Sequence, residues 1–158
     1  MMKTKRSYDL LGLVVWLAIT FGVAFTASQF EPGAWYGGIA KPTWTPPGWI
    51  FGPVWGLLYL SMAVAAWLVW RERANKPVGL PLVGYLLQLA VNGLWSWLFF
   101  GRQMIVTALV DLLVLVLLVI VTLVLFLRVK RIAGLILIPY LAWISFAAAL
   151  NFQIWRLN

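Results

Sequence analysis

The sequence predicts an all-α integral membrane protein, a bundle of five transmembrane helices. Of its 158 residues, 64% are hydrophobic and 10% charged, against about 45–50% apolar and about 25% charged in an ordinary soluble domain. Five apolar stretches, each bounded by charged residues or by Pro and Gly, are long enough to cross a hydrocarbon slab of ~30 Å at ~20 residues per crossing. The apolar character covers every face, as in 112–127, whereas a spanning β-barrel needs alternating apolar and polar positions. Helices satisfy their backbone groups internally, which lipid cannot do for them. The length suits one compact membrane domain, residues 1–158.

The first span, 9–29, follows Met1-Met-Lys-Thr-Lys-Arg6. A basic start of this kind also opens a signal peptide, but the apolar run exceeds the usual ~7–15 residues and no A-x-A site follows, so a retained helix is predicted. The connection 30–47 is the only long one. It carries Trp35, Tyr36 and Trp44 between prolines that restrict its unfolded conformations, and so predicts a folded lid rather than a flexible linker; a plain headgroup belt of aromatics is the alternative. Spans two to five follow at 48–70, 78–100, 103–127 and 132–155, cut by the Arg71 to Lys76 segment, by Gly101-Arg102 and by Arg128 to Arg131.

Five spans put the termini on opposite sides of the membrane. Lys3, Lys5, Arg6, Arg71, Arg73, Lys76, Arg128, Lys130 and Arg131 gather on the N-terminal side, and only Lys41, Arg102 and Arg156 on the other. Nine against three is a positive-inside bias, which predicts a bacterial inner membrane with a cytoplasmic N-terminus. The net charge of +8 is thereby accounted for by short juxtamembrane clusters, so the lipid bilayer is the predicted partner and nucleic acid is not. Cys and His are both absent. That removes disulfides, imidazole or thiolate metal sites, axial haem ligation by either residue, and every Ser/His or Cys/His nucleophile pair; no metal site and no resident cofactor are predicted.

Asp111 is the one acid well inside a span, where an ionisable group needs a partner or a task. Nine residues on either side of the Gly101-Arg102 turn lead to Asn92 and Asp111, so both lie ~14 Å below the outer surface and are expected to pair across the hairpin. Gln88, Asn92, Trp95 and Phe99 share one helical face. Interhelical hydrogen bonding alone is one account of Gln88, Asn92 and Asp111, at ~0.6 kcal/mol for an average bond. A ligand cavity is the other, because Trp55, Trp143, Asn151 and Trp155 also fall in the outer half, toward the long loop.

Eleven Trp exceed what interfacial anchoring requires. Trp16, Trp67 and Trp70 suit the inner belt and Trp97 suits lipid, while Trp35, Trp44, Trp49, Trp55, Trp95, Trp143 and Trp155 crowd the outer half. A flat, apolar, π-rich ligand is the natural partner for such a set. In helix one, Ala18, Gly22 and Thr26 form a stripe of small residues, but no dimer interface stands out.

Eight motifs in order carry a resemblance: Trp35-Tyr36, Lys41-Pro-Thr-Trp-Thr-Pro-Pro-Gly-Trp49, Gly52-Pro-Val-Trp-Gly56, Gln88-Leu-Ala-Val-Asn92, Phe99-Phe-Gly101, Ala108-Leu-Val-Asp-Leu-Leu113, Pro139-Tyr-Leu-Ala-Trp143 and Leu150-Asn-Phe-Gln-Ile-Trp-Arg156. Together they resemble the TspO/MBR family, the tryptophan-rich sensory proteins of bacteria and the mitochondrial translocator protein or peripheral benzodiazepine receptor. The resemblance implies a five-helix protein, often a homodimer, that binds porphyrins such as protoporphyrin IX, and benzodiazepine or isoquinoline-carboxamide ligands, under the first loop. It implies a pocket lined by Tyr36, Pro46, Trp55, Asn92, Trp95, Leu112, Trp143, Ala147 and Leu150, to which Gln88 and Asp111 are added from the polar pattern above. Some members are reported to degrade porphyrin in light through two pocket tryptophans, which correspond here to Trp55 and Trp143. The sterol motif of mitochondrial members is incomplete, since Phe152 stands where a Tyr is expected. Members also occur in outer membranes, an alternative to the inner membrane.

Three functions therefore compete: a receptor or sensor of tetrapyrroles, with or without their transport; an enzyme of light-dependent porphyrin degradation using Trp55 and Trp143; and a proton-coupled exporter using Asp111. Binding and sensing is the leading reading; photo-oxidation needs no general acid or nucleophile and so survives the absence of His and Cys, while five spans without a visible inverted repeat make alternating access less natural.

Overall fold

The computed structural model describes residues 2–158, with side chains from Tyr8 onward; Lys3, Lys5 and Arg6, which contribute to the charge bias, lie outside the described side chains. The helices are α1 (Met2–Ser28), a short α2 (Ala34–Gly38), α3 (Gly48–Arg71), α4 (Gly79–Ser96), α5 (Ile105–Val129), α6 (Arg131–Ile136) and α7 (Ile138–Leu157). A 3-10 turn at Glu72–Ala74 extends α3, and a π-helical turn at Trp97–Gly101 extends α4. Five of the resulting segments are long and apolar enough to cross a membrane. The protein is a multi-pass integral membrane protein, and the bilayer is its surroundings.

The observed spans follow the expected ones closely, with one informative difference. The fifth is not one helix: it breaks at Leu137, whose N–H bonds back to Gly134 O at 3.0 Å, between α6 and α7. The cause is Pro139, in the first turn of α7, which has no N–H to give the carbonyl four residues earlier. The connection 30–47 contains the helical turn α2, so it has local structure of its own.

Around the bundle, α1 packs on α3 and α4, α4 on α5, and α5 on α6 and α7, while α3 meets the fifth span mainly through α6; the end of the bundle away from the 30–47 segment is termed the inner end and the opposite end the outer. Close approach depends on glycine. A Cβ on Gly12 would fall 2.2 Å from Trp70 Cζ3, and one on Gly134 would fall 2.8 Å from the backbone nitrogen of Leu127. The inner core holds Met62, Tyr85, Leu115, Phe126 and Ile144, all fully buried. Trp16 belongs to this core, 7% exposed and edge-on to Tyr85, not to an interfacial belt: α1 is lined on two sides by α3 and α4, and Trp16 lies on the face turned toward them.

At the inner end, Arg71 pairs with Asp9 at 3.3 Å and Lys130 with Glu72 at 2.7 Å. Lys76 Nζ donates to the carbonyl of Val129, one of the carbonyls that a helix end leaves unpaired. Arg71 and Arg73 lie over the rings of Trp67 and Trp70. The cations and these two tryptophans thus form a single band.

Candidate functional site

The outer half of the bundle encloses a cavity of about 790 Å³ between α1, α3, α4, α5 and α7, covered by residues of the 30–47 segment. This lies within the ~300–1,000 Å³ usual for small-molecule sites.

Its floor is a buried chain of hydrogen bonds. Tyr59 Oη donates to Asn92 Oδ1 (2.5 Å), Asn92 Nδ2 donates to Tyr140 Oη (3.0 Å), and Tyr140 Oη donates to Gln88 Oε1 (2.8 Å). Three spans are thereby joined. Trp55 lies above, with its ring 5.5 Å from that of Tyr59 and 6.4 Å from that of Tyr140. Gln88 Nε2 is buried without a partner.

The walls are aromatic. Trp95 stacks on Phe99 at 5.1 Å and its indole N–H donates to Asn151 Oδ1 at 3.2 Å. Asn151 Nδ2 in turn donates to the carbonyl of Ile105, at 3.0 Å, which fixes the amide's orientation. Trp143 stands between Phe51 (5.8 Å) and Phe146 (5.5 Å). Gly48, Gly52 and Gly56 line the α3 side, and a Cβ on any of them would meet nothing within 4 Å; their missing side chains are space that a ligand can use.

The roof is tied down at several points. Trp35 and Tyr36 set their edges against Phe99, and Tyr36 also against Phe100. Ala40 N–H donates to Asn158 Oδ1 and Asn158 Nδ2 donates to Ala40 O, each at 3.0 Å. Lys41 Nζ lies 4.7 Å from the Tyr36 ring centre and donates to the carbonyls of Tyr36 (2.5 Å) and Ile39 (3.0 Å). Burial raises the pKa of the Tyr36 hydroxyl above the ordinary phenol value, so it stays a neutral donor. Among the described residues, Lys41 is the only cation lining the cavity and has no carboxylate within ion-pair distance. A side chain so placed can meet an anionic group on a ligand.

Of the residues expected from the sequence, Tyr36, Pro46, Trp55, Asn92, Trp95, Leu112, Trp143, Ala147 and Leu150 line this cavity. Gln88 supports it from below through Tyr140. Asp111 does not reach it, and the expected Asp111–Asn92 pair is absent: the Asn92 amide is occupied by the two tyrosines, and Asp111 Oδ2 is buried with no partner. Rotation about α5 accounts for this. Leu112 and Leu115 are the α5 residues that face the cavity, and Asp111 stands one residue, about 100°, around the helix from Leu112. The outer-half tryptophans also divide. Trp55, Trp95 and Trp143 line the cavity, Trp35 and Trp44 pack on Phe99 and Phe146, and Trp49 (76% exposed) and Trp155 turn outward.

The sequence reading missed Tyr59, Tyr140 and Lys41. Tyr59 was within reach, four residues after Trp55 and so on the same helical face. Tyr140 and Lys41 are set by contacts between elements, which spacing along one helix does not reveal.

A model of the TspO/MBR family matches residues 10–156. The chain belongs to the TspO/MBR family. Its curated relatives within the family include the human translocator protein, 42% identical over 143 residues, which covers 85% of this chain and 82% of that protein. The tryptophan-rich protein TspO of Archaeoglobus fulgidus is 43% identical, covering 90% of this chain and 91% of its own. The tryptophan-rich sensory protein of Cereibacter sphaeroides is 37% identical, covering 92% and 90%. Membership of the TspO/MBR family supports a membrane sensor or receptor.

Proposed function

We propose that the cavity binds porphyrins of the protoporphyrin IX type, together with benzodiazepine- and isoquinoline-like ligands, and that the protein is their membrane receptor. The observation that carries this is the pairing of three tryptophan walls, Trp55, Trp95 and Trp143, with Lys41, the one cation among the described lining residues, in a roof that also holds Glu31. A macrocycle of this class is a broad π surface with carboxylates on one edge. The indoles suit the surface, since stacked aromatic pairs add ~0.5–1.5 kcal/mol beyond area burial, and the lysine suits the carboxylates. In this reading Tyr59 and Asn92 fix the depth of the ligand, and the charge bias puts the N-terminus in the cytoplasm of an inner-membrane protein.

Titration of the protein in lipid with protoporphyrin IX tests it through quenching of tryptophan fluorescence. Lys41→Gln should weaken the free acid by about tenfold, ~1.4 kcal/mol, and leave the dimethyl ester unaffected. Equal loss for acid and ester would contradict the role given to Lys41.

A second reading, light-driven porphyrin degradation, draws on one observation: Trp55 and Trp143 line the same cavity, so one ligand can touch both. Porphyrin absorbance followed in the dark and in light separates the two, since a receptor leaves it stable. For proton-coupled export the geometry offers less, because Asp111 has no contact with the cavity.

A further inference from the structure

We propose that the ligand reaches the cavity sideways from the bilayer, between α3 and α7, with Trp143 as the gate; this rests on the binding reading above. A second depression, of about 470 Å³, lies in the seam of these two helices. Leu57 and Leu58 form one side, Pro139, Ala142 and Phe146 the other, and Trp143 the inner wall. Among the described residues, Trp143 is the one that lines both this groove and the cavity. Its side chain therefore forms a wall common to the groove and the site.

The seam has a covalent cause. The break at Leu137 separates α6, which packs on α3, from α7, which α3 barely touches, and Pro139, which enforces the break, itself lines the groove. Every side chain of the groove apart from the Trp143 indole nitrogen is hydrocarbon, so it is wetted by lipid. An apolar macrocycle concentrates in the bilayer and not in water, while the roof is held to α7 by the paired Ala40–Asn158 hydrogen bonds.

No hydrogen bond anchors Trp143 among the described residues. Its indole N–H is buried and bonds to nothing, so rotation breaks no hydrogen bond. It is held by ring contacts with Phe51 and Phe146, and Phe146 in turn meets Trp44 of the roof at 5.8 Å. Loop and gate are thus connected through Trp44, Phe146 and Trp143.

The test measures association and dissociation of protoporphyrin IX with the full chain in lipid vesicles by stopped-flow tryptophan quenching. Ala142→Phe fills the groove without touching the cavity, and Leu57→Phe does so from the facing helix should the first variant fold poorly. Both rates should fall by about tenfold with Kd unchanged, because a barrier on the route raises the transition state alone. The chain contains no Cys, so Ala40→Cys with Asn158→Cys can be cross-linked cleanly to lock the roof, and exchange should continue at about the original rate. Unchanged rates in both groove variants, or exchange abolished by the cross-link, would overturn the lateral route while Kd still supports binding. No quenching in the unmodified protein would overturn the binding reading and the route with it.

Discussion

Replacing Tyr140 with Phe removes one oxygen from the middle of the buried chain under the cavity. That oxygen donates to Gln88 Oε1 at 2.8 Å and accepts from Asn92 Nδ2 at 3.0 Å, and both partners are nearly without solvent exposure. The variant therefore strands an acceptor on Gln88, whose Nε2 is already unpaired, and a donor on Asn92. An unsatisfied buried group costs ~1–3 kcal/mol in general, but interhelical hydrogen bonds in membranes average only ~0.6 kcal/mol, with a maximum near ~1.7. Two such bonds put the expected cost at ~1–3 kcal/mol. Tyr85→Phe is the internal comparison, since the Tyr85 hydroxyl shares one bond with Thr20, at 2.6 Å, and should cost ~0.6 kcal/mol. Reversible unfolding in bicelles gives both values, and Gln88→Leu combined with Tyr140→Phe should recover part of the loss, because the stranded acceptor is gone. A Tyr140→Phe cost no greater than that of Tyr85→Phe, with no coupling to Gln88, would refute the network as a structural unit.

Three further outcomes are expected. Trp143→Phe should keep protoporphyrin IX affinity within about tenfold, as most of the apolar surface remains; if light-dependent loss of porphyrin occurs in the unmodified protein, the combination of Trp55→Phe with Trp143→Phe should nearly abolish it, and persistence would remove the tryptophans from that chemistry. Asp111→Leu should leave binding within about twofold and stability equal or higher, since an acid with an unpaired buried oxygen is exchanged for a side chain the bilayer favours by ~2–4 kcal/mol on insertion scales; loss of binding in both Asp111→Leu and Asp111→Asn would assign the charge a role in the ligand cycle. Trp35→Ala with Tyr36→Ala should speed ligand release more than it changes association, because variants of one binding surface act mostly through the off-rate, and unchanged dissociation would reduce the loop to a connector.

Span number and length were legible because they depend on a scalar, the apolar run needed to cross hydrocarbon. The inward face of α4 was legible for a related reason: Gln88, Asn92, Trp95 and Phe99 obey one helical period, and that period alone places them together. What escaped depends on rotation and on partners. Asp111 stands on a different bearing from the cavity-facing Leu112 and Leu115, and depth was all that counting residues from a turn could supply. Trp16 carries the same indole as Trp67, yet one is packed against Tyr85 and the other donates its N–H to the carbonyl of Asp9; residue type does not distinguish these environments. Pro139 marked the break in the fifth span, but the apolar run continues through it, and hydropathy does not register a missing N–H. The Tyr59–Asn92–Tyr140–Gln88 chain joins three helices, and only their mutual packing brings its members into bonding distance.

The claim on which the rest depends is that a porphyrin occupies the cavity beneath the 30–47 segment. A structure of the protein in lipid with protoporphyrin IX bound tests this directly. The macrocycle is predicted to lie between Trp55, Trp95 and Trp143, above the Tyr59–Asn92 bond, with a carboxylate toward Lys41. A porphyrin seated instead on the outward-facing Trp49 or Trp155, with the cavity left empty, would contradict it.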